Sequence, residues 1–313
     1  MTEPVHARAD GPAPSDVGGD AKPSAASARA EADPLARSSP RRRRASHTSL
    51  WIQRELGRVF WWWLSPICWA LMAVWKKYRF PEMRKIRARY RELIDSCPGG
   101  VLLCPNHLTM IDSALLVWAL YPYYLFPFRW RLLFWNLPEA SYMKNPLFRF
   151  VCYFAKCVPV ARGGKPDDLR RVLERIDALL GRGELVLIFP EGRRSRTGRI
   201  DTGANAHGVG RLIRQNPGTK VLCIYQRGRT QKTFSGIPPK GDLIDIDMEL
   251  IEPKSDHVGT RGTKEMAQQV LDTLARMERK WLEARGWPIE PETSDTPAAS
   301  ASEPPAPKAS DAA

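Results

Sequence analysis

A histidine followed five positions later by an aspartate, in Asn106-His107-Leu108-Thr109-Met110-Ile111-Asp112, is a pattern whose residue types could do chemistry. On one continuous helix the two would sit about 140° apart and could not meet, given 3.6 residues per turn. If His107 lies in a turn and Asp112 in the first helical turns, the carboxylate can hold one ring nitrogen, fix the tautomer and stabilise the protonated ring. The other nitrogen is then available to take a proton from a hydroxyl, with no enzyme serine or cysteine needed as nucleophile. Taken alone, such a pair is a weak signal, more often a structural contact than a catalytic one. A second pattern is Phe189-Pro190-Glu191-Gly192-Arg193-Arg194-Ser195-Arg196-Thr197-Gly198-Arg199. Its glycines let the backbone approach a ligand closely, and Arg194 and its neighbours supply forked donors suited to phosphate. Glu191, just past an apolar run, must pair with an arginine or a ligand hydroxyl to sit there at low cost. Without a ligand, the same stretch is a solvated basic loop.

Both patterns follow apolar runs that read as buried strands, and open α/β sheets place their sites at strand ends. After the turn Pro98-Gly99-Gly100, Val101–Cys104 forms the first strand, and an apolar helix follows from about Ile111 to Leu120. Residues 166–182 carry Leu169, Val172, Leu173, Ile176, Leu179 and Leu180 at helical spacing, with Pro166 near the start and Gly181 and Gly183 at the end. Leu185–Phe189 is the next buried strand. A helix around 204–215, a strand at Val221–Tyr225 and an alternating strand with Ile244, Ile246, Met248 and Leu250 on one face follow. Met266, Val270, Leu274, Met277 and Trp281 line one side of a closing helix. The order predicts an α/β domain whose mostly parallel central sheet is flanked by helices.

The chain of 313 residues carries 48 basic and 34 acidic side chains, a formal net charge of +14. That excess suits an anionic partner: nucleic acid, an anionic membrane surface or a phosphorylated small molecule. Residues 1–49 and 289–313 are rich in Ala, Pro, Ser and acidic residues and poor in large apolar ones, so both are expected to be disordered tails. The body between them keeps 39 basic and 23 acidic residues. Arg41–Arg44 ends the first tail, where it reads as an electrostatic contact to a membrane surface, a nucleic-acid arm or a solvated charge cluster. No apolar stretch follows Met1, so no secretory signal is expected. The six cysteines show no metal-site spacing and several lie in apolar runs, which favours a reducing compartment.

Six of the eleven tryptophans fall within residues 51–75, and Val59 to Trp75 is uncharged over 17 residues. That is short of the roughly 20 residues a membrane-spanning helix needs, and Ser65-Pro66 interrupts it. Tryptophan also favours the headgroup boundary, so the stretch predicts an interfacial or re-entrant pair of short helices acting as a Trp-rich membrane anchor. Eight basic residues between Lys76 and Arg91, against Glu82 alone, fit the cytoplasmic side of an anionic bilayer. A buried core helix followed by a solvated basic helix is the competing reading. The expected division is a tail at 1–49, a membrane-associated helical segment at 50–95, a catalytic domain at 96–288 and a tail at 289–313.

Together, the two polar patterns resemble the glycerolipid acyltransferase family typified by lysophosphatidic acid acyltransferases. The family's N-H-x4-D block is matched at Asn106, His107 and Asp112, and its F-P-E-G-x-R-S block at Phe189, Pro190, Glu191, Gly192, Arg194 and Ser195. Lys156–Gly164 resembles the block between them, its arginine matched by Arg162, and Gly203-Ala204 resembles the Gly-Ala that follows. The V-P-V of the fourth block is absent from Val221-Leu222-Cys223-Ile224-Tyr225, and Gln226–Thr233 after it is unusually basic and polar. The resemblance implies acyl transfer from acyl-CoA or acyl-carrier protein, as co-substrate, to a hydroxyl of a lysophospholipid, first of all 1-acylglycerol-3-phosphate giving phosphatidic acid. It implies His107 and Asp112 as catalytic, and Asn106, Arg162, Glu191, Gly192, Arg194 and Ser195 as substrate-binding residues. It calls for no metal or bound cofactor and no nucleic acid, and it places the chain on the cytoplasmic face of the inner membrane. Another lyso-lipid acceptor, such as a lyso-ornithine lipid, is the alternative; a non-catalytic lipid- or nucleic-acid-binding protein is the distant one.

Overall fold

Three apolar runs, Val101–Pro105 (β1), Leu185–Leu187 (β2) and Lys220–Gly228 (β3), lie side by side in the computed structural model, which describes residues 40–161, 166–204 and 206–289. β1 is central and pairs in parallel with both β2 and β3. Ile244–Ile251 (β4) closes one edge antiparallel to β3, giving the order β2-β1-β3-β4. The mostly parallel sheet is thus as expected, with one antiparallel edge.

Side chains alternate between the two faces, as strand geometry requires. Val101, Leu103, Leu222 and Ile224 enter one core with Tyr90, Ile94, Leu115 and Leu116. These last four come from the helices Met83–Asp95 (α2) and Asp112–Leu120 (α3). Leu102, Cys104, Val221 and Cys223 enter the other core. There Pro166–Leu180 (α5), His207–Gln215 (α6) and Gly259–Glu283 (α7) cover the sheet with Leu173, Leu179, Leu212, Val270 and Leu274. Each fully buried Leu or Val of this kind contributes roughly 1.5–3 kcal/mol. Three elements went unread in the sequence: 3-10 turns over Tyr123–Leu132 and Ala140–Lys144, and the helix Pro146–Phe154 (α4), capped by the Asn145 side chain accepting the Phe148 amide at 3.1 Å.

The Trp-rich segment departs from expectation. One α-helix, Pro40–Trp69 (α1), runs unbroken through Ser65-Pro66 and passes into a π-helical turn, Ala70–Trp75. Pro66 lies in the last turn, where the displaced bonding pattern is absorbed by the wider π turn in place of a break into two helices. The helix begins at Pro40, within the stretch read as a tail in the sequence; residues 1–39 and 290–313 lie outside the described residues. Of the three consecutive tryptophans, Trp61 is buried and donates to the Tyr123 carbonyl at 2.7 Å, while Trp62 and Trp63 are exposed. Trp61, Leu64 and Met72 join the same core as β1, so α1 is an integral layer. Among the described residues no helix is long and apolar enough to cross a membrane. The basic run is only partly free as well: Arg87 donates to the Trp118 and Ala119 carbonyls at the end of α3, and Lys85 and Arg89 pair with Glu82 and Glu92.

Candidate active site

β1 ends at Pro105, and Asn106 extends its pairing with β3 through both backbone, its amide donating to the Ile224 carbonyl at 3.2 Å, and side chain. The side-chain amide donates to the Gln226 carbonyl at 3.0 Å and its oxygen accepts the Gln226 amide at 2.8 Å. Asn106 is fully buried, so the group expected on a substrate instead ties the base of the turn to β3. Ser195, expected beside it, has a similar role: its hydroxyl accepts the Arg199 amide at 3.0 Å and closes residues 195–199 into a loop.

His107 follows in the turn, with Asp112 as the first residue of α3. Nδ1 lies 2.9 Å from Asp112 Oδ2. A buried carboxylate accepts only, so Nδ1 carries the proton and Nε2 holds the lone pair. Asp112 is 2% exposed and also accepts the amides of Leu108 at 2.7 Å and Thr109 at 2.8 Å, and the Thr109 hydroxyl at 2.6 Å. Four donors and the positive end of a helix thus meet this carboxylate where water does not reach it. Thr109, three positions before Asp112, was not singled out in the sequence; its signal was the Thr-x-x-Asp spacing at a helix start.

The second pattern closes on the first through His107 itself. Its amide donates to Glu191 Oε1 at 3.1 Å, its carbonyl accepts the Ser195 amide at 2.9 Å, and its ring stacks on Phe189 at 3.8 Å with 12° between planes. Phe189 therefore fixes the imidazole plane while Asp112 fixes its edge. Glu191 is 4% exposed, and burial pushes its pKa up to about 7 against the pull of the His107 and Asp201 amides. Its other oxygen, Oε2, is buried without a hydrogen-bond partner among the described residues. Gly192 adopts φ +66°, a left-handed conformation, and the space its side chain would enter is open. Arg194 is half-buried with its guanidinium 5.1 Å from the centre of the Phe234 ring.

His107, Asp112, Glu191 and Gly192 are thus brought together, and Arg194 lies on the adjoining loop. Arg162 lies outside the described residues. The basic cluster is not uniformly directed at a ligand: Arg193 pairs with Asp201 at 2.8 Å, and Arg199 donates to the Pro288 carbonyl. The arrangement can deprotonate a hydroxyl at His107 Nε2 and hold a polar group against Glu191.

A different ionic cluster sits at the opposite end of the parallel strands. Lys156 is fully buried and donates to Glu184 at 2.6 Å and to the Trp130 and Leu133 carbonyls. Burial lowers its pKa to about 8 despite Glu184. Burial alone would raise Glu184, but Lys156 and Arg54 together bring it below the usual carboxylate range. This cluster anchors the segment leading to Arg162.

The Acyltransferase family model matches residues 77–227, which contain His107, Asp112, Glu191, Gly192 and Arg194. No curated protein matches the chain. Among solved structures, the crystal structure of the 1-acyl-sn-glycerophosphate (LPA) acyltransferase PlsC from Thermotoga maritima is similar, with 16% identity, 77% of this chain and 96% of that chain covered, and a TM-score of 0.41.

Proposed function

Because residues 77–227 make this chain a member of the Acyltransferase family, we propose that it moves a fatty acyl group from an acyl-CoA or acyl-carrier-protein thioester to a hydroxyl of a lysophospholipid, first of all 1-acylglycerol-3-phosphate. The observation that carries the reading is the 2.9 Å contact of His107 Nδ1 with the four-donor Asp112 carboxylate, which leaves Nε2 as the base. Nε2 takes the proton of the acceptor hydroxyl, and the oxygen attacks the thioester carbonyl. The tetrahedral intermediate collapses, and the departing thiolate takes the proton back from Nε2. Asp112 stabilises the imidazolium between the two transfers. Glu191, Gly192 and Arg194, with Arg162, receive the acceptor's glycerol and phosphate.

A membrane surface is the proposed working place, and the outer face of α1 supports it. Val59, Trp62, Trp63 and Ile67 are each at least half exposed, and Trp63 reaches 73%. Phe128, edge-on to Trp62 at 5.4 Å, and Leu147 of α4 continue this apolar surface. So broad an aromatic face suits a helix lying in the headgroup layer better than one exposed to water. The six cysteines are all free, which supports the cytoplasmic side of the inner membrane.

The segment after β3 favours a second reading of the acceptor. Residues 229–237 pack directly on the His107 turn, with the Ser235 amide on the Leu108 carbonyl at 3.3 Å and the Met110 amide on the Gly236 carbonyl at 3.0 Å. This is where the chain departs from the family's fourth block, so another headgroup, such as a lyso-ornithine lipid, is the alternative. A panel of lyso-lipid acceptors with one labelled acyl donor tests both. Transfer to 1-acylglycerol-3-phosphate above all others supports the first reading; preference for an acceptor without phosphate on glycerol selects the second, and transfer to none overturns both.

A further inference from the structure

Arg227, the penultimate residue of β3, is 1% exposed, although it lies in an unusually basic and polar stretch of the sequence. Its guanidinium donates to three backbone carbonyls: Gly198 at 2.7 Å, Gln231 at 3.0 Å and Lys232 at 2.7 Å. These belong to two separate loops, 195–199 and 229–233. The loops also touch each other, since a side chain at Gly198 would begin 2.4 Å from the Lys232 carbonyl. The Arg227 charge is met by Glu278 of α7 at 3.4 Å, whose other oxygen accepts the Ile200 amide at 3.0 Å. The guanidinium also lies 5.4 Å from the ring centre of Trp281 and 5.3 Å from that of Trp287, just beyond α7. The same C-terminal stretch holds loop 195–199 a second time, through Arg199 on the Pro288 carbonyl.

Both loops continue directly into the site. Loop 195–199 is tied to the His107 carbonyl by the Ser195 amide, and it follows Arg194. Loop 229–233 leads to Phe234, which lies against the Arg194 guanidinium, and to Ser235, bonded to the Leu108 carbonyl. A flat, five-donor fork is the one side chain that can hold several carbonyls and two aromatic faces at once.

We propose that Arg227, held by Trp287, is a positioning residue for the acceptor: the end of α7 latches the two loops that set Arg194 and Phe234. This rests on the reading that Arg194 receives the acceptor headgroup. Loosening the latch weakens acceptor binding and leaves the thioester donor's binding unchanged, because the His107 ring and the Asp112 carboxylate are held by Phe189 and Thr109, which lie outside both loops.

The experiment uses the full chain with Arg227→Met, Arg227→Lys, Trp287→Ala and Trp287→Phe. KM for acceptor and donor and kcat are measured, with hydrogen exchange of peptides covering 194–200, 229–236 and 285–289. Trp287 is peripheral, so its variants report even if Arg227→Met does not fold. Arg227→Met and Trp287→Ala are expected to raise the acceptor KM by about tenfold, the effect of roughly 1.4 kcal/mol. Donor KM stays within about twofold and exchange quickens in both loops. Trp287→Phe, which keeps a ring, restores most of the effect; Arg227→Lys, which keeps charge without the fork, does not. An unchanged acceptor KM, a parallel rise in both KM values, or faster exchange confined to residues 285–289 overturns the proposal. If the wild type transfers to no lyso-lipid, the functional reading fails by itself. Exchange then decides the latch, which falls if neither loop responds to Trp287→Ala.

Discussion

Replacing Asp112 with asparagine keeps the side chain's shape and removes its charge and one acceptor. In the native site the carboxylate takes His107 Nδ1 at 2.9 Å and three further donors between 2.6 and 2.8 Å. During transfer the imidazole becomes positive. At 2.9 Å and an effective dielectric constant near 20, Coulomb's law gives about 6 kcal/mol between the charges. His107 keeps 12% of its side chain exposed, so solvent screens part of this, and about 4 kcal/mol is a fair lower figure. The corresponding loss in kcat is about 10³- to 10⁴-fold. The carboxamide also turns an N–H toward donors it cannot accept, leaving one unmatched at a cost of roughly 1–3 kcal/mol of stability. The assay is single-turnover transfer of a labelled acyl group, alongside urea unfolding to separate lost chemistry from lost protein. A folded Asp112→Asn variant retaining more than about a tenth of wild-type kcat would refute the reasoning, because the pair would then not carry the charge argued for it.

Three other outcomes follow from the same coordinates. Glu191, with a folded pKa of about 7 against an ordinary 4.5, holds its proton longer in the folded state, so its own contribution to stability is fully present below about pH 4.5 and is lost as pH rises through about 7. The drop is on the order of 3 kcal/mol, and urea unfolding of Glu191→Gln at pH 5 and 8 should show that step missing. Lys156→Met leaves Glu184 with only Arg54 and Trp135 as partners, and is expected to cost about 3 kcal/mol in unfolding free energy while kcat per folded molecule is kept; a stability change below about 1 kcal/mol would count against a structural role for the pair. Trp63→Ser combined with Leu147→Ser removes two side chains exposed by at least 70%, so binding to anionic vesicles in a sedimentation assay should fall at least tenfold, about 1.4 kcal/mol, with the melting temperature unchanged. Vesicle binding equal to wild type would remove that face from the proposed membrane contact.

Periodicity made the strands and long helices legible, because their faces are set by which residues leave water. Leu169 to Leu180 and Met266 to Trp281 repeat at helix spacing, and Ile244 to Leu250 alternate, and each forms the element that its pattern predicts. The His107 and Asp112 pairing was legible for a related reason: five positions bring the two groups together only across a turn, and a strand end supplies that turn. Pro66 misled, because its effect depends on where in the helix it falls. Near the end of α1 its displaced bonds pass into a π turn, and only the position of that end distinguishes accommodation from a break.

Residue identity by itself determined the chemistry available here: an imidazole, a carboxylate spaced to orient it, and a glycine-flanked acid and arginine to receive a polar ligand. Tertiary structure decided which polar groups face a ligand and which serve as struts. Asn106, Ser195 and Arg227 look as reactive in sequence as His107 or Arg194, yet their groups bond to backbone carbonyls and amides. The physical reason is that a buried polar group must find a partner, and those partners come from segments distant along the chain. Gln226 lies 120 residues from Asn106, and no local pattern records that they meet.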